Sequence, residues 1–347
     1  LGPNTPRDFV PGAYKQREYG LNADFSYGIP VEGWASDLNL AFGAEYRHEQ
    51  FNITAGDAAS YALGPLADQG FSSSSNGFGG FAKSSTNGQS NIGVYGELEG
   101  DITEDLTLQT AIRYEDYSAF GDTVNWKVAG LYRPSDNLTL RATYSTGFHA
   151  PTAGQANVTN VTTQIVNGTL IDQGTVPLLS APGQLAANFI EARDGGRPTL
   201  GTEDAKNLSF GAAFETGPVS WKVDYFNIKV DNRIALAANV DFLSALDFAA
   251  DTDGDGTIDA AGYDNTSVAS AITTLASANV INRADYVGFD DLTQFRYFSN
   301  SFDTKTQGFD IVGEAPIELG QPGSTKAVLA LNYTNTKVTN TGSVNPI

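Results

Sequence analysis

Apolar and polar side chains alternate along long stretches of this chain. In the segment LTLRATYSTGF (138–148), Leu138, Leu140 and Tyr144 share one face, and the polar side chains between them share the other. A repeat of two residues is the pattern of a β-strand with one apolar and one polar side. It therefore predicts an all-β fold. Ten segments follow this pattern, near residues 16–28, 36–52, 90–101, 105–117, 122–133, 137–149, 206–216, 219–234, 305–317 and 324–337.

The predicted strands are long. A strand of a soluble domain usually has about five or six residues, whereas crossing a bilayer at the tilt of a barrel takes roughly 9 to 11. Most of the ten segments reach or exceed that length. The sequence has no run of about 18 apolar residues, so it offers no membrane-spanning helix. Alternating strands remain a way for the chain to cross a membrane.

The lengths of the links between the strands differ from one end of the predicted sheet to the other. The links after the first, third, fifth, seventh and ninth strands are short, and only the fourth link on the other side is short as well. The remaining links are about 53–89, 150–205 and 235–304. Short periplasmic turns opposite long extracellular loops are typical of a transmembrane antiparallel β-barrel, which we predict here. A soluble β-sandwich or β-helix gives no reason for such sorting.

Charge and motifs exclude two classes of function. The chain has 20 Lys and Arg residues against 40 Asp and Glu residues, a formal net charge of -20. Nucleic-acid binding needs basic side chains clustered on one surface, so we expect no nucleic-acid partner. The sequence contains no nucleophile elbow and no phosphate-binding glycine loop after a strand, so we expect no enzymatic activity.

The segment LRATYSTGFHAPTAGQ (140–155) resembles the barrel strand of TonB-dependent outer-membrane receptors that ends in a Gly-Phe-Arg-Ala-Pro motif. His149 stands where that family usually has Arg. The resemblance continues, in the family's order, through residues 38–53, 200–215, 223–234 and 295–314. It implies a barrel of about 22 strands with a plugged lumen. Residues 1–347 are then expected to form part of the barrel domain, with the plug domain and the last strands outside this segment.

The same resemblance implies a function. We expect TonB-dependent active uptake of a scarce nutrient of the siderophore, cobalamin or saccharide class across the bacterial outer membrane. The implied partners are outer-membrane lipid, a small-molecule ligand, and the TonB complex through an N-terminal region. One alternative is a passive porin or structural surface barrel with a calcium-stabilised loop. Another is a soluble, calcium-dependent glycan-binding protein.

The segment DTDGDGTIDAAGYD (251–264) has the spacing of a calcium-binding loop. Gly256 stands at the turn position, but Gly262 occupies position 12, where a bidentate Glu belongs, and Asp264 follows two residues later as a possible substitute. Residues of the required type occupy positions 1, 3, 5, 7 (through its backbone carbonyl) and 9: Asp251, Asp253, Asp255, Thr257 and Asp259. We predict a structural Ca²⁺ site, with an acidic, solvated turn as the alternative.

The surroundings of this turn suggest a folded lid. Residues 240–250 and 267–281 are predicted as short amphipathic helices on either side of the turn, so a cation would hold a compact excursion together. Aromatic side chains follow the second helix and suit either ligand binding at the mouth or packing within the loop: Phe289, Phe295, Tyr297 and Phe298.

Overall fold

The computed structural model describes residues 6, 8–61, 81–166, 169–318, 320 and 323–341. Its strands are β1 (Gly12–Ile29), β2 (Leu38–Ala55), β3 (Ser85–Thr103), β4 (Leu106–Tyr117), β5 (Gly121–Ser135), β6 (Leu138–His149), β7 (Asn160–Val166), β8 (Thr169–Thr175), β9 (Glu203–Thr216), β10 (Val219–Leu236), β11 (Val240–Asp241), β12 (Leu292–Arg296), β13 (Phe298–Glu318) and β14 (Ser324–Asn340). Its α-helices are α1 (Ala153–Asn157), α2 (Ala181–Asp194), α3 (Phe242–Ala250) and α4 (Val268–Ser277). Two 3₁₀ turns lie at Ala58–Ser60 and Arg283–Tyr286.

The main sheet has ten strands in the order β1-β2-β3-β4-β5-β6-β9-β10-β13-β14, and every neighbouring pair is antiparallel. These are the ten strands that the alternation predicts. Short links join them at one end of the sheet, and the three long excursions leave from the other end, as the link lengths indicate. The predicted barrel wall is therefore confirmed.

The two faces of this sheet differ in chemistry. Ile92, Val94 and Leu98 of β3 lie exposed on one face, where Val94 is paired with Tyr114 and Leu98 with Leu40. On the other face, Glu97 of β3 lies beside Gln109 of β4, which donates a hydrogen bond to it at 2.7 Å. In a transmembrane β-barrel the outer surface is apolar and the interior is polar, so the apolar face corresponds to the outer surface of the barrel and the polar face to the lumen.

A second sheet forms within two of the long loops. Its order is β11-β12-β8-β7, and it joins residues 150–205 to residues 235–304 because β8 pairs in parallel with β12. We call these two excursions together the loop module. The sequence predicts them as long loops with helices in the second one, and the structure adds strands to both. The strands β8 and β12 pair across more than 100 residues of sequence, which periodicity cannot reveal.

The loop module has a hydrophobic core of its own. The helices α3 and α4 lie within the two ranges predicted as helical, and Phe242, Leu246 and Ile272 from these helices are fully buried. The helix α2 was not foreseen, although Ser180 caps its first turn and Gly195 ends it in a left-handed conformation. None of the described helices has the length and apolarity needed to cross a membrane.

Candidate functional site

The loop module is anchored where β10 and β13 extend beyond the wall. The pairing of these strands shifts at a bulge between Val230 and Arg233, and Asn232 there has a positive φ of 58°. The amide of Asn300 donates hydrogen bonds to the carbonyl oxygens of Asn232, at 2.6 Å, and of Gly201, at 3.1 Å. Its carbonyl oxygen accepts one from the Gly201 amide at 2.6 Å. One side chain thus connects both halves of the module to the wall.

A network of charged and polar side chains covers the lumen face near the mouth. Arg113 lies between two carboxylates, with its Nη2 2.7 Å from Glu45 and 2.5 Å from Glu115. Asn91 donates a hydrogen bond to Glu115 and accepts one from Arg47. The charged residues of this network, Glu45, Arg47, Arg113 and Glu115, help to bound a lumen pocket of about 410 Å³. Further down the wall, Arg141 and Asp224 form a bidentate pair across Gly211.

Glu49 connects this network to the first excursion. Its carboxylate accepts hydrogen bonds from Gln16 and Gln89 of the neighbouring strands and, at 3.0 Å, from the backbone N–H of Ala153 at the start of α1. Thr152 and Gln155 cap the same helix reciprocally. The start of α1 is therefore held against the lumen wall, and His149 lines the lumen pocket beside it.

A larger cavity of about 610 Å³ lies between the loop module and the barrel mouth. We call it the mouth cavity. Residues of all three long excursions and of strands β2 and β3 line it, so it exists only because the excursions fold toward one another. Its size is that of a pocket for a small organic ligand. The apolar part of its lining includes Ile53, Phe81, Val161, Phe289 and Leu292.

The charged side chains of the mouth cavity are mainly acidic. Among the described lining residues, Lys83 is the single base, and Asp290 forms a salt bridge of 2.6 Å with Arg283. Partial burial raises the pKa of the Asp291 carboxyl above its usual range, and the neighbouring Asp172 and Asp290 raise it further. The lining carboxylates are Asp172, Asp285, Asp290 and Asp291. This surface repels anions and attracts cations.

The acidic turn lies elsewhere in the loop module. Carboxylate oxygens of Asp251, Asp253 and Asp259 lie within 4.8 Å of one another, as three positions of a calcium loop would. Asp255 instead accepts hydrogen bonds from the amide and hydroxyl of Thr257, and the pKa of its carboxyl is lowered by that side chain.

Asp264, the possible substitute at the end of the turn, does not belong to the three-carboxylate group. Its carboxylate accepts a hydrogen bond from the amide of Thr266 at 3.0 Å, and this contact lowers its pKa. The Ca²⁺ site stays a prediction.

The sequence of the barrel wall places the chain among known proteins. The family described as "TonB dependent receptor-like, beta-barrel" matches residues 2–346. The chain belongs to the TonB-dependent receptor family. No curated protein sequence matches the chain.

Solved structures of two receptors and a peptide importer share the fold at low sequence identity. The siderophore receptor PirA from Pseudomonas aeruginosa has a TM-score of 0.55 and 15% identity, over 96% of this chain and 44% of that one. A mutant of the ferric enterobactin receptor PfeA from the same species, solved with enterobactin, has a TM-score of 0.55 and 13% identity, over 92% of this chain and 36% of that one. The RagAB peptide importer gives 0.53 and 13%, over 95% and 31%. The chain thus spans less than half the length of these structures.

Only part of the mouth cavity has a signal in the sequence. Of the four aromatic candidates, Phe289 does line the cavity, whereas Phe295 and Tyr297 are fully buried in the core of the loop module. The cavity carboxylates Asp290 and Asp291 belong to no motif in the sequence. They lie in the loop immediately before the short strand β12, and loops held by a rigid scaffold often carry binding residues.

Proposed function

We propose that this chain forms part of the wall and the outer mouth of a bacterial outer-membrane receptor for TonB-dependent uptake of a scarce nutrient. In this proposal the apolar face contacts outer-membrane lipid, and the TonB complex acts through an N-terminal region. The receptor transports its ligand and carries out no covalent chemistry on it. Family membership and the structural likeness to siderophore and peptide importers support this function.

The observation that carries the proposal is the mouth cavity beneath a packed loop module. A passive porin needs an open path for diffusing solutes, whereas an active receptor must first hold a dilute ligand. Here the excursions form a folded unit with its own core, and they enclose a pocket-sized volume against the wall. The geometry therefore favours capture of a ligand over free diffusion. The nutrient classes considered are siderophores, cobalamins and saccharides, and the likeness to RagAB adds peptides.

The test compares cells that carry or lack the full-length receptor in media where one nutrient class at a time is scarce. We expect a growth defect for one class without the receptor, and an equal defect in cells that retain the receptor but lack TonB. A control strain expressing the receptor without the loop module separates loss of capture from loss of the barrel. Growth that requires the receptor but is indifferent to TonB would support the passive porin instead.

A further inference from the structure

The outer face of the main sheet carries a row of lysines across four neighbouring strands. Each lysine lies directly opposite the next in the strand register: Lys206 of β9, Lys229 of β10, Lys305 of β13 and Lys337 of β14. All four residues are exposed, near the end of the sheet from which the long excursions leave. The chain has only 20 basic residues against 40 acidic ones, so this alignment does not follow from composition. We call these four residues the lysine row.

An aromatic row lies on the same face, four positions nearer to the middle of each strand. Its members are aligned in the same register: Phe210, Tyr225, Phe309 and Tyr333. The rings of Phe309 and Tyr333 stack at 5.3 Å between centroids. Aromatic side chains form girdles at the two boundaries of the apolar band of a membrane barrel. Four residues of a strand span about 13 Å, so lysines beyond such a girdle lie at the level of the lipid headgroups.

The lysine row is continuous with the lipid-facing surface. On the same face, the positions between the two rows are mainly amides: Leu208, Asn227, Gln307 and Asn335. The positions on the other side of the aromatic row, toward the short turns, are apolar: Ala212, Val223, Ile311 and Leu331. The lysines therefore form the charged margin of an apolar surface and are not an isolated patch.

The lysines of the row repel one another. Directly opposed side chains of antiparallel strands have their Cβ atoms about 4.5–5.5 Å apart, and like charges at such positions are destabilising. Three aspartates lie two positions farther toward the excursions on the same strands: Asp204, Asp231 and Asp303.

These aspartates offset only part of the charge of the row. Asp231 forms an ion pair of 2.6 Å with Lys229, and Asp303 accepts a hydrogen bond from the Asn232 amide at 2.8 Å. Among the residues that the structure describes, the other three lysines of the row have no ion pair. An anion placed between them would relieve their mutual repulsion.

We infer that the lysine row binds the phosphate groups of anionic lipids around the barrel. Its positive charge complements a phosphate, which lysine binds as a point charge. The occupant is a lipid because the row continues the lipid-facing surface: a headgroup held there keeps its acyl chains against the aromatic row and the apolar positions below it. The inference uses the proposed membrane location and adds a partner that the proposed uptake does not require.

The experiment is a competition between two lipids that have the same acyl chains. The full-length receptor, purified in a neutral detergent, is mixed with equal amounts of anionic dioleoyl-phosphatidylglycerol and zwitterionic dioleoyl-phosphatidylcholine. The lipid that stays with the receptor through gel filtration is quantified by mass spectrometry. We expect at least about tenfold more phosphatidylglycerol than phosphatidylcholine, because several lysines act on one headgroup layer. Sodium phosphate should reduce this ratio no more than sodium chloride of the same ionic strength.

Two triple variants locate the effect. Replacing the three lysines of the row that have no ion pair should bring the ratio of the two lipids to about one, since the attraction for the anionic headgroup is lost: Lys206→Gln, Lys305→Gln and Lys337→Gln. The control removes the same charge from the lumen face and should keep the ratio: Lys127→Gln, Lys222→Gln and Lys326→Gln. All six positions lie on strand surfaces, and heat-modifiable mobility on gels verifies that each barrel is folded.

Three outcomes would overturn the inference. The first is equal retention of the two lipids by the unsubstituted receptor, which is decisive without any variant. The second is the same fall in the ratio for both triple variants. The third is displacement of the anionic lipid by sodium phosphate but not by chloride, which would identify a site for free phosphate. The growth test of TonB-dependent uptake does not involve the lysine row, so either result can fail without the other.

Discussion

The core of the loop module offers the most direct test of its independence as a folded unit. Phe242, the first residue of α3, is completely buried. Its ring packs edge-on against Phe295 at 5.0 Å and stacks on Tyr286 at 6.3 Å between centroids. The change Phe242→Ala removes both contacts but leaves the cap of α3 in place, because the Asp241 side chain still accepts the Ser244 amide.

The expected loss is large relative to the stability of so small a unit. Truncating a fully buried Phe to Ala costs about 3 to 5 kcal/mol, through lost burial and the cavity left behind. The higher helix propensity of Ala offsets only a few tenths of a kcal/mol of this loss. A loss of about 4 kcal/mol raises the equilibrium population of the opened module by roughly 10³-fold. The barrel strands keep their own pairing and should stay folded.

Limited proteolysis of the full-length receptor in membranes measures this opening. When the module opens and closes faster than the protease cuts, the rate of cleavage tracks the opened population. The matched control is Leu179→Ala, since Leu179 belongs to the same module but is 64% exposed. We expect rapid cleavage within 150–205 and 235–304 for Phe242→Ala alone, with the barrel still heat-modifiable on gels. Equal cleavage of both variants would refute an independently stabilised core.

Three further changes test other parts of the structure. In millimolar calcium, Asp253→Asn with Asp255→Asn should increase protease sensitivity at the acidic turn. Unchanged sensitivity would contradict the Ca²⁺ site and favour the alternative, an acidic turn exposed to solvent. Gly211→Val should lower the free energy of unfolding by about 1 to 3 kcal/mol in urea titrations, because the new side chain would collide with the ion pair of Arg141 and Asp224. The control is Gly96→Val, whose new side chain would extend into open space. The raised pKa of Asp291 means that folding holds its proton more tightly, so module stability falls as pH rises above about 4; Asp291→Asn should flatten that fall in pH-dependent proteolysis.

The barrel wall could be predicted from the sequence because a period of two is a local property. In β6 and β10 the polarity of each side chain indicates the face of the sheet on which it lies. Strands that follow one another in sequence across a short link are then expected to pair. Even the lumen-facing positions of Arg113 and Arg141 follow from the alternation. The two helices beside the acidic turn also have a local signal in their apolar spacing.

The loop module could not be predicted in the same way. Strands β8 and β12 are short and pair across an interval that contains two full barrel strands, so nothing local links them. The mouth cavity depends on that pairing, and its acidic side therefore became visible only in three dimensions. The acidic turn is the opposite case, because its spacing is a clear local signal in the sequence. In the structure, however, the carboxylates that come together are those of Asp251, Asp253 and Asp259.

The pairing of β8 with β12 has a consequence for exchanging parts between receptors. A chimera that takes only residues 235–304 from a relative would bring a strand whose neighbour remains foreign, and it would leave an unpaired edge and an exposed apolar surface. Both excursions, with Asn300 at their shared base, are the smallest unit that could be transplanted with its own core intact. Recombination or engineering that changes ligand preference in this chain would therefore have to move two separate stretches of sequence together.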